Sequence, residues 1–190
     1  MTTRYPMFAI LPALLVLAGC AQQRQMPQLQ NQVSQLNQRL QTLTDQAAAL
    51  ERQNALNAQS NAGVYLLPAA ENRAILQSAI GRLSVSLSNT EAEANGTRAL
   101  LHIRTLDAAR LPAFSARIDW GLIDPVSGKP LAGDMQTQAF RFLPPLLPKT
   151  EAVIELRLSG LSPEQLGFVR LHSIVGEEQT PPPVASVDAP

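Results

Sequence analysis

The sequence predicts a mainly β fold: an immunoglobulin-like or fibronectin-like antiparallel β-sandwich, preceded by a long α-helical, coiled-coil-like stalk. Three observations carry this. Apolar residues at Leu29, Val33, Leu36, Leu40, Leu43, Ala47 and Leu50 step alternately by four and three, the heptad rhythm of a helical seam. From residue 81 onward the period drops to two, as a strand with one buried face requires. Trp120 then falls in the middle of a long alternating segment, where immunoglobulin-like folds place a core tryptophan.

The stalk is expected over 28–62. Pro27 suits a helix start and Gly63 a helix stop, and no glycine occurs between them. A helix over most of this span reaches about 50 Å at 1.5 Å per residue. The seam turns polar at Asn54 and Asn57. Its flanks, Gln32, Asn37, Thr44, Gln46 and Gln53, are mostly uncharged, with Arg39 and Glu51 as exceptions. Few cross-helix charge pairs are therefore on offer to set register. Three readings stay open: a self-associating coiled coil, a helix packed on the globular domain or on a partner, and a polar tether.

The sandwich is expected over 81–178, after a connector at 63–80. Leu83, Val85 and Leu87 alternate with Arg82, Ser84, Ser86 and Ser88; Asn95-Gly96 marks a turn. Leu101 and Ile103 continue the pattern. Phe114, Ala116, Ile118, Trp120 and Leu122 share one face of the next strand, and Ser115, Arg117 and Asp119 the other. Further strands are expected near 135–143, 151–159 and 167–175, making six, with a seventh from 64–67 or 72–79. Short half-buried strands with no long helix between them argue for a sandwich. Ser162-Pro163-Glu164-Gln165 reads as a capped turn. The tail over 179–190 is proline-rich and is expected to be disordered.

The first residues read as a targeting segment. Arg4 supplies a positive start, Met7 to Ala18 are largely apolar, and small residues precede Cys20. The apolar run is too short for an ordinary spanning helix, so 1–19 is expected to be a signal peptide. Leu17-Ala18-Gly19-Cys20 resembles the lipobox of bacterial lipoproteins, which implies cleavage between Gly19 and Cys20. The cysteine would then carry a thioether-linked diacylglycerol and an N-acyl chain, and several chains on one residue anchor stably. Residues 20–27 become a lipidated linker. Ala21, rather than Asp, follows the cysteine, which points to the outer membrane with the protein facing the periplasm.

Composition narrows the function. Fifteen basic residues balance fifteen acidic ones, against the basic excess of nucleic-acid-binding proteins. The one cysteine cannot build an internal disulfide or a zinc site. Ser127-Gly128-Lys129 resembles the end of a phosphate-binding loop, but Pro130 stands where Ser or Thr is required, so a hairpin turn is expected. His102 shares a strand face with Arg104, and His172 with Arg170. Asp119, Asp124 and Asp134 are expected on solvated surface. Arg104, Arg117, Arg157 and Arg170 all fall at outward positions. If their strands share a sheet they form a basic stripe able to grip a carboxylate or phosphate polymer. No metal or dissociable cofactor is implied.

The whole mature chain resembles the YajI-like lipoproteins of enterobacteria and relatives, a family built around a domain of unknown function. The resemblance rests on the lipobox, the Gln-rich heptad segment and Tyr65-Leu66-Leu67-Pro68. It continues through Trp120-Gly121-Leu122-Ile123-Asp124-Pro125, Gly128-Lys129-Pro130-Leu131, Leu161-Ser162-Pro163 and Gly167 to His172. It implies no catalytic residues.

The expectation is a lipid-anchored envelope protein whose sandwich binds an envelope protein partner, without catalysis. The alternative is a structural spacer that forms homo-oligomers through the stalk. A third reading, an enzyme acting on envelope polysaccharide, lacks any acid–base pair visible in the sequence.

Overall fold

A long helix comes first because nothing in its sequence stops one. Leu, Gln, Ala and Arg are strong helix formers, and the single proline falls in the first turn, where its missing N–H is no loss. The structure, a computed structural model, describes residues 25–60, 62–143 and 145–177. Within it α1 spans Gln25–Ala58, 34 residues. The expected signal segment 1–19 with Gly19, the expected lipidation site Cys20 and the expected disordered tail 179–190 lie outside the described residues.

The helix ends before the expected stop. Gln59 N–H donates to Leu56 O at 3.3 Å and Ser60 N–H to Asn57 O at 3.2 Å, so the last turn tightens. Ser60 Oγ then donates to Gly63 O at 2.9 Å. At Gly63 the chain takes φ +98, a conformation open to glycine and strained for other residues.

Among the described residues eight strands follow: β1 Val64–Leu66, β2 Ala74–Ser78, β3 Gly81–Glu93, β4 Gly96–Thr105, β5 Phe114–Gly121, β6 Gln136–Phe142, β7 Glu151–Ser159 and β8 Phe168–Gly176. They form two four-stranded antiparallel sheets. The first has the order β1-β8-β5-β6 and the second β2-β3-β4-β7. The expected connector at 63–80 therefore holds two strands, one for each sheet. Of the two segments expected as alternatives for a seventh strand, 64–67 or 72–79, both form one. The expected immunoglobulin-like arrangement also needs correction. That fold sets strands A, B, E and D in one sheet and C, F and G in the other. Here three sequential strands, β2, β3 and β4, stay together and β7 joins them.

The two sheets share one hydrophobic core. Leu83, Val85, Leu101 and Ile103 of the second sheet meet Phe114, Ile118, Trp120, Val169 and Leu171 of the first. Trp120 Nε1 donates to Ser159 O at 3.0 Å, tying β5 to the end of β7. Aromatic edges add contacts: Phe114 meets Phe140 edge-on, with ring centroids 6.2 Å apart. The Asn95-Gly96 turn joins β3 and β4 as read from the sequence, and Gly160 N–H donates to Asn95 O at 2.8 Å. The capped turn at Ser162 closes through Ser162 N–H to Gln165 Oε1 at 3.1 Å.

The chain divides into two compact units whose boundary lies inside α1, between Asp45 and Gln46. The second unit includes the last turns of α1. There Ala49, Leu67, Ala70 and Phe168 make a small second core, with Leu50, Leu56, Tyr65 and Ile123 against it.

Candidate functional site

Helix α1 presents a row of large apolar side chains to solvent. Leu29, Val33, Leu36, Leu40 and Leu43 are 62%, 53%, 58%, 53% and 60% exposed. Globular domains expose single apolar residues freely, but a contiguous apolar row on one helix face marks an interaction surface. The neighbouring Thr42 and Thr44 hydroxyls fold back onto Gln38 O and Leu40 O, at 3.0 and 2.8 Å, and leave the row uninterrupted.

The helix residues of the second unit do something else. Strand β1 is an edge, paired only with β8, so one side of its backbone is open. Asn57 closes it: its Oδ1 accepts from Tyr65 N–H at 2.6 Å and its Nδ2 donates to Tyr65 O at 3.0 Å. One turn earlier, Gln53 Oε1 accepts from Leu67 N–H at 2.8 Å. Residues four apart share a helix face, and these two amides stand in for a neighbouring strand. Gln53 is 1% exposed and its Nε2 lacks a hydrogen-bond partner. Read as heptad positions, Gln53 is a polar flank and Asn57 the polar end of the seam; their partners show their role.

Beside this clamp the first sheet holds a buried polar cluster. Asp119, expected in solvent, is 3% exposed. Its Oδ1 accepts from the Thr137 hydroxyl at 2.8 Å. His172 Nε2 lies 2.9 Å from Asp119 Oδ2 but off the line of a hydrogen bond. Arg170 Nη1 stands 3.9 Å from the same carboxylate, its guanidinium covers the Tyr65 ring at 5.2 Å, and its Nη2 donates to Ala62 O at 2.6 Å. Antiparallel register puts these groups together: Asp119 faces Arg170 and Thr137, and Arg117 faces His172. A buried carboxylate needs such company, since an unpaired charge there is costly. The arrangement pins the segment that leaves α1.

The expected basic stripe does not form. Arg104 and Arg157 stand on the second sheet, Arg117 and Arg170 on the first. Arg157 is also neutralised locally, 3.2 Å from Glu155 and 3.5 Å from Glu93. Asp124 works within its own turn. Val126 N–H and the Ser127 hydroxyl, each at 2.8 Å, hold its carboxyl below the usual carboxylate range. Ser127-Gly128-Lys129 is thus a closed turn, with Gly128 N–H donating to Asp124 O at 2.8 Å. Asp134 sits exposed in a short 3-10 turn.

Among the described residues, no helix is long and apolar enough to cross a membrane. A lipobox cysteine, an amphipathic helix and a two-sheet β body define the class: a lipid-anchored envelope lipoprotein. The chain belongs to the family described as "Protein of unknown function (DUF3251)", which matches residues 20–185. It is 37% identical over 174 residues to the uncharacterized lipoprotein YajI of Escherichia coli (strain K12), covering 92% of this chain and 97% of that protein. The solution structure of YajI superimposes with a TM-score of 0.66 at 36% identity, over 75% of this chain and 84% of that one. The trimeric lipoprotein SadB of Salmonella enterica shares the fold, with a TM-score of 0.51 at 20% identity, over 86% of this chain and 83% of that one.

Proposed function

We propose that this protein is an outer-membrane lipoprotein, anchored through diacylglycerol and N-acyl chains on Cys20 and facing the periplasm. It assembles with copies of itself through the apolar row of α1. The observation that carries this reading is the exposure of Leu29, Val33, Leu36, Leu40 and Leu43 at alternating steps of four and three. A heptad row is complementary to another copy of itself, because each knob fits the hole the same sequence makes. SadB, which shares the fold, is a trimeric lipoprotein.

Magnitudes set the regime. Fully burying one such side chain contributes about 1.5–3 kcal/mol. These are already half covered, so each adds about 1 kcal/mol per copy. Association costs about 4–15 kcal/mol in lost freedom. Two heptads therefore associate weakly in free solution. Anchoring to one membrane raises the effective concentration and offsets part of that cost.

The test compares the mature protein on lipid vesicles with a lipid-free Cys20→Ala form. Sedimentation should show concentration-dependent association of the free form, and crosslinking a defined oligomer on vesicles. Leu36→Gln combined with Leu40→Gln keeps helix propensity and should abolish both, with the strand signal in circular dichroism intact. A monomer on vesicles as well as at high concentration in solution rejects the reading.

A second reading, binding of an envelope protein partner, is favoured by strand β6. It forms the open edge of the first sheet and carries one charge, Arg141, whereas the other sheet's edge β7 carries Glu151, Glu155 and Arg157. Charges blunt an edge; their scarcity leaves it able to accept a strand. A photo-crosslinker at Gln138 should trap that partner in cells, and Ala139→Lys should erase the product.

A further inference from the structure

The outer face of the second sheet holds a cluster that neither the helix nor the first sheet involves. Strand β2 pairs with β3 only from Gly81 to Val85, while β3 runs on to Glu93. Beyond Val85 no strand among the described residues lies on one flank of β3, and residues 71–73 border the gap. The result is an open depression of about 420 Å³ whose lining includes Glu71, Arg73, Ser88, His102 and Glu151.

Three of these residues stand in line. Ser88 Oγ lies 2.7 Å from His102 Nε2, and His102 Nδ1 lies 3.2 Å from Glu151 Oε2. They come from β3, β4 and β7. Register places them diagonally, since Ser86 faces His102 and His102 faces Val153. Arg73 Nη2 donates to the other Glu151 oxygen at 2.8 Å. Arg73 first, then His102, hold the Glu151 carboxyl below the usual carboxylate range. An ionised carboxylate at Nδ1 selects the tautomer with its proton there. The lone pair of Nε2 then faces the Ser88 hydroxyl.

We propose that Ser88, His102 and Glu151 form a nucleophile, base and orienting carboxylate for cleavage of a small acyl ester. Ser88 Oγ attacks the ester carbonyl carbon while its proton passes to His102 Nε2. The carbon–oxygen bond to the alcohol breaks, and the departing alkoxide takes that proton. Water, deprotonated by His102, then attacks the acyl-serine and releases the acid, returning the proton to Ser88. The sum is ester plus water giving acid plus alcohol, with no further reactant. The bulge between Ser88 and Glu91 leaves Asn89 and Thr90 without partners in the β4 register, and Asn89 adopts φ +49. The lining is polar or charged except for Leu87, which suits an acetyl-sized group rather than a long alkyl chain.

Sequence motifs miss this grouping because the residues are 14 and 49 positions apart. Such triads are recognised by geometry rather than by order in the chain.

The mature protein should react with a serine-directed fluorophosphonate to give one adduct, on the peptide containing Ser88, and should hydrolyse p-nitrophenyl acetate. Ser88→Ala should abolish both. His102→Ala should slow labelling by about 100-fold, the usual scale of general-base catalysis, and change its pH profile. Glu151→Gln should slow it less, and Ser127→Ala, in the closed turn, should leave it unchanged. Circular dichroism of each variant confirms folding. An adduct on another serine, no adduct on folded protein, or a pH profile unchanged by His102→Ala overturns the proposal. It stands independently of self-association.

Discussion

Gly63 shows how much one residue decides. A Cβ there would lie 2.5 Å from His172 Cβ and 2.6 Å from Leu171 O, at a backbone φ of +98. Neither the neighbouring backbone nor a side-chain root can yield cheaply. Gly63→Ala should cost about 1–3 kcal/mol, read as a lower midpoint in chemical denaturation; an unchanged midpoint refutes the crowding. Asp107 is a second such point. Its Oδ2 accepts from Arg82 N–H at 2.8 Å and its Oδ1 from Arg82 Nε at 3.0 Å. The backbone bond, then the side-chain bond, lower its pKa below the ordinary 3.8. Folding thus favours the ionised form. The stabilisation is whole above pH 3.8 and fades as pH falls through the lower folded value. Asp107→Asn should therefore destabilise the protein at neutral pH, and the gap to wild type should close on acidification. A gap that stays constant as the pH falls through the acid range would contradict this.

At the scale of elements, α1 uses its two ends differently. The row from Leu29 to Leu43 is exposed, whereas Ala49 and Gln53 are buried at 6% and 1%. The heptad rhythm was legible from residue spacing alone. The clamp at Asn57 and Gln53 was not, because amide side chains look alike whether they meet water or an edge strand. Asn57→Ala leaves Tyr65 N–H and C=O without partners at a cost of about 1–3 kcal/mol. Hydrogen exchange at the Tyr65 amide should quicken more than at Val85, deep in the second sheet; equal protection would show the clamp to be idle. The longer strands were readable from their alternation, and the turns from Asn95-Gly96 and Ser127-Gly128. Strands β1 and β2 were legible only as alternatives for one further strand, because three and five residues carry few alternations.

The whole β body depends on two sheets closing over one core. Trp120, 3% exposed, joins them by packing and by its bond to Ser159 O. Trp120→Phe should cost about 1 kcal/mol for the lost hydrogen bond, and Trp120→Ala about 3–5 kcal/mol for the cavity. Thermal melts of the lipid-free protein distinguish these; a Trp120→Phe melt equal to wild type would mean the indole N–H contributes nothing. The same closure separates the arginines that outward positions had suggested as one stripe.

Local periodicity sufficed to determine a helix, a run of alternating strands and a core tryptophan. Each of these is set by neighbours in the chain or by one face meeting one environment. Only tertiary structure decided which strands share a sheet, and with it every polar grouping. It buried Asp119 beside His172, set Arg104 and Arg157 apart from Arg117 and Arg170, and brought Ser88, His102 and Glu151 into line. The reason is that strand order depends on long-range pairing, which alternation leaves free, because every strand with an apolar face satisfies the same pattern wherever it is placed.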